Sequence, residues 1–164
     1  MAEAQDSEKL INIDIADTSN AAAPKAEGLK KSKPDKGGFV WGTGRRKSSV
    51  ARVRIKLGSG KMLINTRELD KYFAREQDKQ AVVAPLKALD IEKNFDIFVN
   101  VVGGGTTGQA GAIVLGIARA LKGYDPGFIP ALRDTGFLTR DSRMVERKKP
   151  GQRGARKKFQ FSKR

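Results

Sequence analysis

The sequence predicts one α+β body carrying a long basic tail, on three observations. Two stretches alternate apolar and polar residues: Ala51, Val53, Ile55 and Leu57 with Arg52, Arg54 and Lys56 between them, and Phe95, Ile97, Val99 and Val101 with Asp96, Phe98 and Asn100 between them. That period of two marks strands with one buried face. Ala110, Ile113, Val114, Ile117, Ala118 and Leu121 fall on a single helical stripe. After Leu138 large apolar residues nearly stop, leaving Met144, Val145, Phe159 and Phe161. A chain of 164 residues has room for one domain with a real core, plus appendages.

Taken in order, residues 1–38 hold a short apolar stretch, Leu10 to Ile15, then a low-complexity run through Ala21, Ala22, Ala23 and Pro24. They offer too little apolar surface to offset chain entropy, so they are expected to be a disordered extension. Residues 49–65 are expected to form a β-hairpin that turns at Gly58-Ser59-Gly60 and returns through Met62 to Ile64. Residues 67–89 have helical spacing at Leu69, Tyr72 and Phe73 and again at Val82, Val83 and Leu86, and Pro85 predicts a break or a fresh start. The strand ending near Val101 runs into Gly103-Gly104-Gly105, and the helix that follows opens on Thr106 and Gln109 at capping-box spacing. Gly108, Gly111 and Gly116 each cost roughly 1 kcal/mol inside a helix, which predicts close approach to the sheet. A turn at Asp125-Pro126-Gly127 and a short segment to Leu138 complete the body, giving an extension at 1–38, a body at 39–138 and a tail at 139–164.

Charge narrows the function. Thirty-three Lys and Arg face eighteen Asp and Glu, a formal +15, and the excess is uneven. The extension has six basic and seven acidic groups, the body sixteen and nine, the tail eleven and two. Such a chain repels itself unless a polyanion is its partner, and nucleic acid is the first candidate. The chain has no Cys and no His, which excludes disulfides, thiolate ligands, zinc sites and the familiar catalytic triads; no metal and no cofactor is expected. No apolar run approaches the roughly 18 residues of a membrane span, and Glu3, Asp6 and Glu8 make the N-terminus acidic, so a cytoplasmic protein without membrane contact is expected.

Gly103-x-Gly105-x-x-Gly108 matches the dinucleotide fingerprint between a strand and a helix. About 20 residues on, however, the chain is still helix and turn around Asp125 instead of a strand ending in a ribose-binding acid. Gln109 also stands where a P-loop needs lysine, so a tight strand-to-helix turn is the favoured reading. The carboxylate pairs Glu68/Asp70, Glu76/Asp78 and Asp90/Glu92 sit in charge-rich, solvated sequence, and no catalytic residue is expected. Arg45, Arg46 and Lys47 precede the basic-faced strand and are expected to share one phosphate-binding surface with Arg52, Arg54 and Lys56. In the tail, Arg140, Arg143, Arg147, Lys148, Lys149, Arg153, Arg156, Lys157 and Lys158 precede Lys163 and Arg164, interrupted by Pro150, Gly151 and Gly154. Such a run cannot fold alone, and folded RNA offers the charged surface that would fix its path. Phe159 and Phe161 are available to stack on bases or to pack on protein.

Three blocks in order, GTGRRKSSVARV from Gly42, GGGTTGQAGAI from Gly103 and LTRDSRMVERKKPGQRGARKKFQFSKR from Leu138, closely resemble the bacterial small-subunit ribosomal protein S-nine family over residues 39–164. The resemblance implies a two-layer α/β sandwich: a mixed sheet with helices on one side and an uncommon left-handed crossover. It implies a non-enzymatic constituent of the small subunit, not a homo-oligomer, whose body and tail bind ribosomal RNA in the subunit head. Proteins S-seven, S-ten and S-fourteen are its suggested neighbours. The tail's last residues, Ser162, Lys163 and Arg164, would then approach the anticodon stem-loop phosphates of peptidyl-site transfer RNA. Gly154 and Phe159 stand where the family has lysine and proline, which puts one phosphate contact and one rigid bend in doubt. Rival readings are a general polyanion-binding coat protein and a nucleotide-dependent RNA-modifying enzyme.

Overall fold

The computed structural model describes residues 34–162; most of the expected extension, and Lys163 and Arg164 of the tail, lie outside the described residues. Five strands form one sheet: β1 (Val40–Arg46), β2 (Ser49–Leu57), β3 (Met62–Ile64), β4 (Arg67–Glu68) and β5 (Phe95–Val102), in the spatial order β1-β2-β5-β3-β4. The sheet is mixed, since β3 and β5 run parallel while the other neighbours are antiparallel. Helices α1 (Leu69–Tyr72) and α2 (Glu76–Lys87) connect β3 and β4 to β5, and α3 (Thr106–Tyr124) and α4 (Ile129–Asp134) follow. The fold is the expected α+β arrangement of a mixed sheet with helices.

The two alternating stretches become β2 and β5, with Ala51, Val53, Ile55, Phe95, Ile97, Val99 and Val101 all buried. They pack under α3, whose Ile113, Ile117 and Leu121 are fully buried. Each such side chain contributes roughly 1.5–3 kcal/mol relative to exposure. Phe73, Ile64, Val82 and Leu132 extend the same core.

Strand β1 has no apolar alternation to announce it, because two of its inward positions are Gly42 and Gly44. A Cβ on Gly44 would strike the Ala112 carbonyl and lie 2.5 Å from the Gly116 nitrogen, so the α3 backbone rests directly on the strand. The expected close approach at Gly116 is present too, where a Cβ would come within 2.5 Å of Val53 Cγ2.

Three expectations are corrected. Residues 49–65 are not a hairpin: β2 pairs with β1 on one side and β5 on the other, and β3 lies beyond β5. The three-residue β3 could not satisfy the nine-residue β2, whereas the eight-residue β5 can. Pro85 sits inside the last turn of α2, whose apolar face is anchored by buried Val82 and Leu86; the helical stretch breaks earlier, at the extended Phe73 and Arg75. Thr106 and Gln109 make no capping box, because Gly105 takes the cap position and Thr106 is already the first helical residue.

Candidate nucleic-acid interface

One face of the sheet is covered by helices, and the other is open. Residues of outward parity are Trp41, Thr43 and Arg45 on β1, Arg52, Arg54 and Lys56 on β2, and Asp96, Phe98 and Asn100 on β5. The register aligns Trp41, Arg54 and Phe98 in one row and Thr43, Arg52 and Asn100 in the next. The Arg54 guanidinium lies 5.2 Å from the ring centres of both Phe39 and Phe98 and 6.0 Å from that of Trp41. Arg52 lies 5.9 Å from the Trp41 ring and Lys56 5.7 Å from Phe39. These are cation–π distances, so the cations and rings hold one another in position. Asp96 turns its carboxylate to the connection after β2, accepting from the N–H groups of Lys61 at 3.0 Å and Ser59 at 2.9 Å. Those two hydrogen bonds, Lys61's first, hold its carboxyl below the ordinary range.

The expected common surface of Arg45, Arg46, Lys47, Arg52, Arg54 and Lys56 is divided. Neighbours in a strand point to opposite faces, so Arg45 joins Arg52 and Arg54 while Arg46 turns toward the helices, its side chain beside Gly111. Lys47 occupies the β1–β2 turn with φ 52°. Arg46 meets Asp141 at 3.0 Å, and Arg143 closes on the same carboxylate at 2.8 Å. The Arg143 side chain first, then its backbone N–H, with the Arg46 charge adding to both, hold Asp141 well below the usual carboxylate range. This cluster pins the root of the tail to the end of β1.

The glycine run forms the expected tight turn, with Gly103 and Gly104 at φ +74° and +64°. Ser49 Oγ and Gln109 Nε2 both donate to the Gly103 carbonyl at 3.1 Å, and Tyr72 donates to Gln109 Oε1 at 2.8 Å. Of the acidic pairs, Glu68 meets Lys71, Asp70 and Glu76 meet Lys79, and Glu92 meets Lys87. Asp78 departs from the solvated reading: it is 5% exposed, on the inward side of the first turn of α2, where the helix dipole favours a carboxylate. It borders a cleft of about 270 Å³ between α2, α3 and the tail root.

Beyond Asp141 the tail has no helix or strand among the described residues, but it is not featureless. Arg156 forms a two-pronged pair with Glu146 at 2.7–3.0 Å, and Arg153 N–H donates to the Lys157 carbonyl at 3.0 Å, folding a loop around Pro150-Gly151. These contacts turn the tail back on itself between Glu146 and Lys157. Arg140, Arg147, Lys148, Lys149, Arg153, Lys157 and Lys158 are exposed and form no ion pair among the described residues. Phe159 and Phe161 are also exposed, Phe159 beneath Arg153 at 5.1 Å. Ser162 ends the described tail. Sequence reasoning passed over Phe39 and Trp41, because Gly42 and Gly44 break the apolar alternation that would have marked the strand, and over Asp141 and Glu146 as tethers.

The model of the family described as ribosomal protein S9/S16 matches residues 44–164. A protein of Rhodopirellula baltica named small ribosomal subunit protein uS9 is 53% identical over 136 residues, covering 83% of this chain and 98% of its own. Proteins of the same name from two Anaeromyxobacter strains are 56% identical over 121 residues, covering 74% of this chain and 93% of theirs.

Proposed function

Because the chain belongs to the ribosomal protein S9/S16 family, we propose that it is a structural constituent of the small ribosomal subunit. In this reading the open face of the body and the tail bind ribosomal RNA in the subunit head, and Ser162, Lys163 and Arg164 touch peptidyl-site transfer RNA. The observation that carries the reading is the exposed tail, in which seven cations have no ion pair among the described residues and await a polyanion. Charge-assisted contacts to phosphate suit both partners: they bind a folded RNA backbone along its length and hold a mobile transfer RNA without reading its sequence. Catalysis and cofactors have no part in it.

Sedimentation of a native lysate at low salt and at about 0.5 M salt tests the assignment, since weak phosphate contacts are lost steeply as salt rises. Stoichiometric travel with small subunits at both salts is expected; a free pool at either would refute it. Residues appended after Arg164 are expected to weaken peptidyl-site transfer RNA retention while leaving subunit assembly intact. Equal loss of both would overturn the division of labour between Arg140–Lys158 and the chain end.

A further inference from the structure

The open sheet face carries more chemistry than phosphate binding requires. Arginines that meet only phosphates need no aromatic neighbours, yet Arg54 lies among Phe39, Trp41 and Phe98. Trp41 is 44% exposed, an unusual position for the only tryptophan of the chain. It lies on β1, at the end of the strand order, with Arg52 and Arg54 on its β2 side.

Resting on the ribosomal reading, we infer that this face is a stacking platform for unpaired RNA nucleotides, with a base on the Trp41 indole and flanking phosphates on Arg52 and Lys56. Every base has a π face, so an exposed indole accepts bases without regard to sequence. A duplex offers no such partner, because its bases are stacked inside and its edges lie in grooves. Charge selects RNA over a protein surface. Arg45, Arg52, Arg54 and Lys56 all have outward parity, and successive cations along β2 stand about 6.8 Å apart. The two carboxylates that share this parity are engaged elsewhere: Asp96 with the Ser59 and Lys61 N–H groups, Glu68 with Lys71. The cation–π contacts hold the rings before RNA arrives, so little side-chain freedom is lost on binding.

The single tryptophan supplies its own probe. The full chain is titrated with a single-stranded oligouridylate and with an RNA duplex of equal total charge, reading Trp41 emission and the anisotropy of end-labelled RNA together. The expected result is saturable quenching by the single strand and much weaker quenching by the duplex, although the basic tail binds both. Trp41→Ala should weaken single-strand binding by about 5- to 150-fold and leave duplex binding unchanged. Trp41→Phe, which keeps a ring, should restore most of that loss. Binding of both RNAs by anisotropy with unchanged emission would overturn the platform while leaving the ribosomal reading intact. So would equal weakening of both RNAs by Trp41→Ala. Absence of binding to either RNA would overturn the RNA reading itself, and a protein cross-linked at Trp41 in assembled subunits, with no RNA adduct there, would assign the face to a protein neighbour.

Discussion

Replacing Gly44 by alanine tests the account of how α3 sits on the sheet. The added methyl would collide with the Ala112 carbonyl and approach the Gly116 nitrogen at 2.5 Å. Both obstacles are main-chain atoms within a helix, so no rotamer change relieves them. The helix must lift from β1, and a gap of 0.5–1 Å forfeits a quarter to a half of the dispersion energy along the seam. Overpacking of this kind costs about 1–3 kcal/mol, and obstacles that cannot turn aside place Gly44→Ala near the upper end, at about 3 kcal/mol. For a body of about 100 residues each kcal/mol moves the melting temperature by roughly 4–8 °C, so a fall of about 12 °C or more is expected. Thermal unfolding followed by circular dichroism reads it directly. A fall smaller than about 4 °C, equivalent to less than 1 kcal/mol, would refute the close helix–strand contact.

Other perturbations probe separate parts. Gly105→Ser should be neutral or stabilising by a few tenths of a kcal/mol, because a Cβ there meets nothing within 4 Å and serine caps a helix better than glycine; chemical denaturation would show an unchanged or higher midpoint. Asn65→Ala should cost about 2–3 kcal/mol in the same assay, since Asn65 at φ +46° donates to the Val101 carbonyl and accepts from its N–H, both at 2.9 Å. For Asp141 the folded carboxyl titrates below its unfolded value of about 3.9. Its contribution is therefore present above that value and is lost only as pH falls through the lower folded one. Hydrogen exchange at pH 4 should find the Arg143 amide, which donates to Asp141 Oδ1, protected in the parent and unprotected in Asp141→Ala.

What could be read from the chain, and what could not, follows from the range of the interactions. Strands β2 and β5 and helix α3 were legible because each buries one face of a regular apolar repeat. Strand β1 was hidden because Gly42 and Gly44 bury backbone instead of side chains, and only the presence of α3 gives them meaning. The false hairpin at 49–65 arose from a local turn signal that was real, although the better partner of β2 was about forty residues away. The tail's charge was legible, whereas the Glu146–Arg156 and Arg46–Asp141 pairs depend on where the chain bends. The separation of Arg45 from Arg46 follows from strand parity once β1 is known.

The position of β5 between β2 and β3 also governs the order in which this protein can take shape as it is made. Leu57 pairs with Phe95 and Val50 with Val102, so β2 and β3 each lack a neighbour until that later strand arrives. Closing a loop of about 45 residues costs on the order of 3 kcal/mol in chain entropy, and the β1–β2 ribbon alone is marginal in water. Strand β1 further depends on α3, which ends at Tyr124. Strands β1 to β4 therefore lack part of their pairing and packing until β5 and α3 follow. The body is expected to condense as one late unit whose rate is governed by pairings of high sequence separation.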